Sequence, residues 1–136
     1  MRRRLLIDQR GPLRRCAMLS DGILTDLSLD HVERPAWLGA IVLGRVTRVV
    51  AGLDAAFVEF GDATPGFLSA ADVRPGRRDA RIGQLLRTGQ MVAAQVKADA
   101  HDGKGAVLTM DLSLPGRFLV HNPLGDGIHI SKRLGK

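Results

Sequence analysis

Short runs of apolar residues, bounded by turn-forming residues, recur along this chain in the pattern typical of β-strands. In the first quarter of the sequence, strands are predicted at residues 5–8, 14–19 and 23–29. Ser20-Asp21-Gly22 contains the Asp-Gly pair that favours a tight hairpin turn, and Arg34-Pro35 then breaks the pattern. The amino-terminal segment is therefore expected to be a small group of strands.

A second series of strands follows, and the first two of the series are joined at Gly52-Leu53-Asp54. After the third strand, residues 69–73 could form one helical turn with Ser69 as its N-cap. The strands of this series are predicted at residues 38–50, 55–60, 66–68, 91–98, 105–110 and 117–121, and another begins between 125 and 130. The chain is therefore expected to be mainly β.

The strand predicted at residues 55–60 carries the first sign of a binding surface. Side chains two apart in a strand share a face, so Phe57 is expected to point away from Ala56 and Val58. If Ala56 and Val58 fill a core, Phe57 lies on a surface together with Phe67, beside two arginines of the preceding strand, Arg45 and Arg48. A nucleobase stacked on an exposed ring contributes roughly 1–3 kcal/mol. This segment therefore suits stacked, single-stranded nucleic acid.

Each of these assignments has a plainer alternative. Phe57 and Phe67 could be core residues of a small barrel, because aromatic side chains are buried more often than displayed. Strand register also decides the face, and one sequence does not fix the register.

Lys104 lies between Gly103 and Gly105, where backbone can approach a ligand and an ammonium group can meet a phosphate or a base edge. An ordinary exposed turn has the same Gly-Lys-Gly pattern.

Two long motifs resemble one known family. GRVTRVVAGLDAAFVEFG followed by GFL, and later KGAVLTMDLSLPGRFLV, resemble the amino-terminal part of the bacterial ribonuclease E/G family over residues 5–133. The resemblance implies a five-stranded OB-type barrel of the ribosomal-protein S-one kind, inserted into an RNase H-like fold that is incomplete here. In that family two phenylalanines and a lysine of the barrel hold single-stranded RNA. The matching positions are Phe57, Phe67 and Lys104.

The resemblance also implies a pocket that senses a 5′-monophosphate, to which Gly116 and Val120 would contribute. From the residues alone, Gly116 is equally a turn residue and Val120 a core strand residue. The family's other sensor residues, an arginine and a threonine, would lie beyond residue 136, so half a sensor at most is expected. Val42 and Leu43 stand where many members have a tyrosine and a basic residue, which predicts a less aromatic and less charged barrel edge.

Three parts are expected: residues 1–34 begin the RNase H-like subdomain, 35–112 form the barrel, and 113–136 begin a truncated sensor subdomain. The three parts contain 7, 9 and 4 Lys and Arg residues, against 5, 8 and 1 Asp and Glu residues. The barrel is therefore nearly neutral. Residues 74–87 nevertheless carry five arginines and one acid, Asp79. We predict a mobile basic loop there, whose arginines either contact phosphates or only keep the surface solvated.

The sequence contains no recognisable catalytic motif. Its four histidines form no HxH or HExxH pattern, GxSxG and GxxxxGK[ST] do not occur, and its acidic residues lack the paired clusters of a two-metal site. Cys16 is the only cysteine, which excludes an internal disulfide and a four-cysteine zinc site. No catalytic residue, metal or cofactor is therefore expected in this chain. The resemblance assigns Mg²⁺, a linking Zn²⁺ and any homo-oligomer contacts to downstream parts of the family, and the end at residue 136 suggests a fragment or a natural truncation.

No run of about 18 apolar residues occurs, and the apolar stretch in MRRRLLIDQRGPLRR is too short for a secretory signal. We therefore expect no membrane partner and a cytoplasmic location. The function that the sequence favours is that of the single-stranded RNA-binding portion of a ribonuclease E/G-like endoribonuclease. Whether this chain has enzymatic activity stays open. The alternative is a barrel that binds proteins during assembly without binding RNA.

Overall fold

The computed structural model describes residues 1–33, 36–76 and 79–131. The chain consists of two compact units, residues 1–37 and residues from 38 onward. Arg34-Pro35, where a break in the strand pattern was predicted, lies outside the described residues, as do two arginines of the basic segment, Arg77 and Arg78. The prediction of a mainly β chain is confirmed. Within the described ranges no helix is both long enough and apolar enough to cross a membrane.

The first unit is a three-stranded antiparallel sheet with the order β1-β2-β3. Its strands are β1 Arg3–Arg10, β2 Leu13–Ser20 and β3 Ile23–His31. Asp21 and Gly22 form the loop between β2 and β3, with φ angles of 50° and 86°. Two consecutive residues with positive φ make the tight hairpin turn that Asp-Gly pairs favour, as predicted. The strands extend beyond the predicted bounds because ladder pairing continues through their polar ends.

The second unit contains a closed five-stranded barrel, which confirms the predicted barrel. Its order is β4-β5-β6-β8-β7, and β7 pairs with β4 to close it. Neighbouring strands are antiparallel except for β6 and β8, which are parallel. The strands are β4 Ile41–Val50, β5 Ala55–Glu59, β6 Gly66–Ser69, β7 Met91–Ala98 and β8 Val107–Thr109.

Alternate residues of the barrel strands fill its interior. The largest fully buried side chains of the barrel strands are Val46, Val58, Leu68, Val96 and Leu108. The interior is narrow: a Cβ at Gly66 would lie 2.6 Å from Leu108 Cδ1, and a Cβ at Gly44 would collide with Val58. Ala56 and Val58 point inward, on the face opposite to Phe57, and their neighbour Ala55 is also fully buried.

The segments between and after the barrel strands differ most from the predictions. Residues 70–72 form a 3₁₀ turn, but Ser69 does not cap it, because its hydroxyl donates instead to the Asp72 carboxylate at 2.9 Å. The strand predicted at 117–121 is reduced to β10 Val120–His121, which pairs with β9 Leu114–Pro115. No strand forms at residues 125–130. Polar and glycine-rich sequence there lacks a partner strand that would hold it extended.

The basic segment at residues 74–87 is more ordered than a bare loop. It contains a one-turn helix, α1 Ile82–Leu85, whose first residue is fully buried against the barrel core. Arg74 donates to the Asp111 carboxylate at 3.0 Å, and Arg81 lies 3.5 Å from that of Asp54. The described part of this segment therefore contains a helical turn and ion pairs that the prediction of a loop did not include.

Asp72 links barrel stability to pH. Burial by itself raises the pKa of this carboxyl, but hydrogen bonds from Ser69, Thr109 and Lys97 together outweigh it, and the pKa is lowered from its ordinary value of 3.8. A lowered pKa in the folded state stabilises the fold above the ordinary value, and this contribution is lost as the pH falls through the folded-state value. Asp72→Asn should therefore destabilise the chain by about 0.5–1.5 kcal/mol at pH 7.

Urea unfolding of wild type and Asp72→Asn at pH 7 and at pH 3 checks this pH dependence. The difference in unfolding free energy should shrink at pH 3, because this pH lies below the ordinary value of 3.8 and the contribution of the carboxylate is lost as the pH falls towards its lowered folded-state pKa. An equal difference at both pH values would contradict the assigned role of the carboxylate charge.

Candidate nucleic-acid interface

Two phenylalanines lie side by side on the outer face of the barrel. Phe57 of β5 and Phe67 of β6 are directly opposite in the antiparallel pair, so their side chains share a face. Their ring centroids are 6.0 Å apart and the rings are inclined by 76°, which is an edge-to-face contact. Both side chains are partly exposed. The alternative that these rings are sealed in the barrel core is therefore excluded.

A β-bulge brings an arginine onto the same face. Val46 pairs with Val58 and Arg48 with Phe57, so Thr47 and Arg48 together oppose a single residue of β5. Without this extra residue Arg48 would share the inward face of Val46; with it, Arg48 points outward. The Arg48 guanidinium lies 4.7 Å from the centroid of the Phe57 ring, within cation–π range. The Thr47 hydroxyl donates to the Phe57 carbonyl at 3.2 Å.

A tight turn between β7 and β8 presents Lys104. His101 and Lys104 exchange two backbone hydrogen bonds, of 3.1 and 2.8 Å, and the two residues between them have positive φ. Those two residues are Asp102 and Gly103, so the turn uses the same Asp-Gly chemistry as the β2–β3 hairpin. Gly105 follows, packed so closely on the Pro65 carbonyl that no Cβ would fit. This contact holds the turn beside the start of β6.

Together these elements enclose a groove of about 800 Å³, which we call the aromatic groove. Its walls are mainly apolar, and its cationic side chains are Arg48 and Lys104, with the imidazole of His101 beside them. None of the described lining residues is acidic. The lining residues are Thr47, Arg48, Phe57, Thr64, Pro65, Phe67, His101, Gly103, Lys104, Gly105 and Val107. Such a surface favours an anionic ligand with flat apolar parts.

The structure brings together four of the five residues predicted to bind RNA: Phe57, Phe67, Arg48 and Lys104. Arg45 is exposed on β4, opposite Glu59 of β5 and Met91 of β7, and does not line the groove. The bulge puts Arg48 on the outer face as well, but Arg48 lies opposite Phe57 whereas Arg45 lies opposite Glu59. Arg45 therefore lies outside the aromatic groove.

The residues predicted to sense a 5′-phosphate are placed differently. The amide of Gly116 donates to the Leu119 carbonyl at 2.7 Å, so it is already engaged within its own turn. Val120 is 58% exposed in the two-residue strand β10, and neither residue lines the aromatic groove. The proposal that the Gly116 amide holds a phosphate is not supported by this arrangement, and the alternative that Val120 is a core residue is wrong.

The described residues do not suit a Mg²⁺ or Zn²⁺ site. Across residues 1–33, 36–76 and 79–131, His, Cys, Asp and Glu side chains form no group of three that could hold an ion. The Asp54 carboxylate accepts the amide of Ile82 at 2.8 Å and faces Arg81, so it is used to fasten α1. No step of metal chemistry is therefore assigned to these residues.

His101 and Pro65 belong to the groove but were not predicted as site residues. In the sequence Pro65 directly precedes β6, and His101 is one of four histidines without a metal-binding or catalytic pattern. The Asp-Gly pair at 102–103 was a usable signal, because a two-residue turn places His101 directly opposite Lys104. No local pattern indicates the approach of Gly105 to Pro65, since it joins segments 40 positions apart.

The second unit is thus a small closed β-barrel with an aromatic and cationic groove on its outer face. No protein-family model matches the chain. Ribonuclease G of Escherichia coli (strain K12) is 35% identical over 96% of this chain and 29% of its own length. Ribonuclease G of Haemophilus influenzae is 33% identical over 88% of this chain and 27% of its own length. Ribonuclease E of Nostoc sp. (strain PCC 7120) is 41% identical over 71% of this chain and 15% of its own length.

The chain belongs to the ribonuclease E/G family and corresponds to its amino-terminal region. It spans less than a third of the length of these relatives.

Proposed function

We propose that this chain is the single-stranded RNA-binding portion of a ribonuclease E/G-like endoribonuclease. The observation that carries the proposal is the aromatic groove, where Phe57 and Phe67 meet Arg48 and Lys104 and where none of the lining residues that the structure describes is acidic. Relatives named as ribonucleases support RNA as the nucleic acid. Cleavage, with its Mg²⁺ and linking Zn²⁺, is proposed for parts of the family outside the matched region.

Binding would combine base stacking with phosphate neutralisation. The edge-to-face arrangement prevents one base from lying flat on both rings, so each ring offers its own platform. The Arg48 guanidinium covers one face of Phe57, and a base that displaces it frees the guanidinium to meet a phosphate. Paired bases hide their faces inside the helix, so the groove should select unpaired strands.

The position of the groove on the barrel supports an OB-type assignment. OB folds bind oligonucleotides on the face of their second and third strands and on the loops after the first and fourth. Here the second and third barrel strands, β5 and β6, carry the phenylalanines, and the loop after the fourth, β7, carries Lys104. We propose that this barrel is inserted in an RNase H-like subdomain begun by residues 1–34, with residues 113–136 starting a further subdomain.

Titration of a fluorescein-labelled single-stranded RNA by anisotropy, in parallel with a blunt duplex of the same sequence, tests the proposal. We expect the single strand to bind more tightly, and both affinities to fall as the salt concentration rises. Equal affinity for strand and duplex would contradict stacking. Failure of both to bind, together with co-purification of a protein partner that requires Phe67, would favour the protein-interaction alternative.

A further inference from the structure

We infer that His101 is a further phosphate-contacting residue of the aromatic groove, and that its protonation strengthens the binding of single-stranded RNA. This inference rests on the proposed function and adds a residue and a pH dependence to it. Its basis is the position of His101 across the tight turn from Lys104, inside the lining of the groove.

The turn aligns the two side chains. Residues that exchange both backbone hydrogen bonds across an antiparallel pair have side chains on the same side, with Cβ atoms about 4.5–5.5 Å apart. His101 and Lys104 are such a pair, and both are exposed. An imidazole and an ammonium group therefore stand next to each other at the rim of the groove, within reach of one phosphate or of two successive phosphates of a strand.

The hydrogen bond of the His101 imidazole determines which of its two ring nitrogens carries the hydrogen. His101 Nδ1 lies 3.2 Å from the Asp99 carbonyl oxygen. A carbonyl oxygen only accepts, so Nδ1 carries the hydrogen and Nε2 is the atom that gains a second proton. With that proton, Nε2 becomes a donor with positive charge, which suits a phosphate oxygen. Without it, Nε2 can only accept, and contact with a phosphate is repulsive.

A bound phosphate couples protonation of His101 to RNA binding. The charged residues around His101 are Arg48 of β4 and Lys104 across the turn, which line the groove with it, and Asp99 and Asp102 of its own loop. The phenylalanines that β5 and β6 contribute are uncharged. A bound phosphate adds negative charge beside the imidazole, so RNA favours the protonated form and protonation favours RNA.

The test measures the salt dependence of binding at two pH values. For single strands, log K falls with log salt concentration by about 0.7 for each phosphate contacted. Oligouridylate is a suitable probe because its bases gain no proton between pH 6 and pH 8. We expect the wild-type slope to be steeper at pH 6 than at pH 8 by up to about 0.7, and the affinity at moderate salt to be a few-fold higher.

Variants assign the effect to one residue. His101→Gln should give the shallow slope at both pH values, and His101→Lys the steep slope at both, because a lysine stays charged. His129→Gln is the matched control: His129 contacts the Asp126 carbonyl at 3.0 Å, lies outside the groove, and should leave the pH effect intact. Lys104→Gln should lower the slope at both pH values. Thermal unfolding of each variant shows that it folds.

The outcomes separate the inference from the function on which it rests. A pH effect that persists in His101→Gln, or a wild-type slope that is the same at pH 6 and pH 8, would overturn the role of His101 and leave RNA binding by the barrel in place. An absence of strand binding at both pH values would overturn the proposed function as well.

Discussion

Phe67→Ala should weaken the binding of single-stranded RNA by about 1–3 kcal/mol, a loss of roughly 5- to 150-fold in affinity. Phe67 lines the aromatic groove together with Pro65 and Lys104, and its ring centroid lies 6.0 Å from that of Phe57. Removing the ring deletes a stacking surface and leaves the cations in place. Anisotropy titration with the single strand at constant salt measures the loss, and the salt slope should stay unchanged because no phosphate contact is removed.

Two further variants distinguish stacking from general damage. Phe67→Leu keeps an apolar side chain of similar reach and should recover folding stability but only part of the affinity. Phe118→Ala is a matched control, since Phe118 is 84% exposed, has the Arg117 guanidinium 4.9 Å from its ring centroid, and lies outside the groove. Equal losses in Phe118→Ala and Phe67→Ala would mean that the aromatic groove is not where the bases bind.

Gly105→Ala should damage both folding and binding. The added Cβ would meet the backbone carbonyl of Pro65, which no side-chain rotation can relieve, so the turn carrying His101 and Lys104 must move away from the start of β6. Such overpacking costs about 1–3 kcal/mol of folding free energy. We expect a lower urea midpoint and, under conditions where the variant is folded, weaker RNA binding with a reduced salt slope.

Gly52→Ala is the matched glycine control. A Cβ at Gly52 meets nothing within 4 Å, and its φ does not lie in the left-handed region. Its stability should remain within about 0.5 kcal/mol of wild type, as for most surface substitutions. If Gly105→Ala likewise changed neither the folding stability nor the binding of RNA, the contact with Pro65 would not position the turn.

Elements with strong local signals were predictable. The bounds of β7, Met91–Ala98, were predicted to the residue, because a mainly apolar run there ends at a polar loop that begins with Asp99. The Asp-Gly hairpin between β2 and β3 was equally clear, since few residue pairs tolerate two positive φ angles. The shared face of Ala56 and Val58, opposite to that of Phe57, followed from the two-residue period of a strand.

Elements that depend on distant partners were not predictable. The buried position of Ile82 gives the basic segment a fixed helical turn, although the arginines around it suggested a mobile loop. The hydrogen bond from the Gly116 amide to the Leu119 carbonyl was equally unpredictable, since a glycine after a proline is compatible with several turns. In each case a contact made in the folded chain decided between local conformations of similar energy.

By itself, the sequence determined that this chain is mainly β and resembles the ribonuclease E/G family, and it singled out two phenylalanines and a lysine as candidate RNA contacts. Only the tertiary structure decided which cations join them. The bulge at Thr47 turns Arg48 outward onto Phe57, while Arg45 stays outside the groove, and closure of the barrel brings His101 and Lys104 to Phe67. Strand register and loop packing are set by contacts between distant segments, and the order of residues along the chain does not encode these contacts locally.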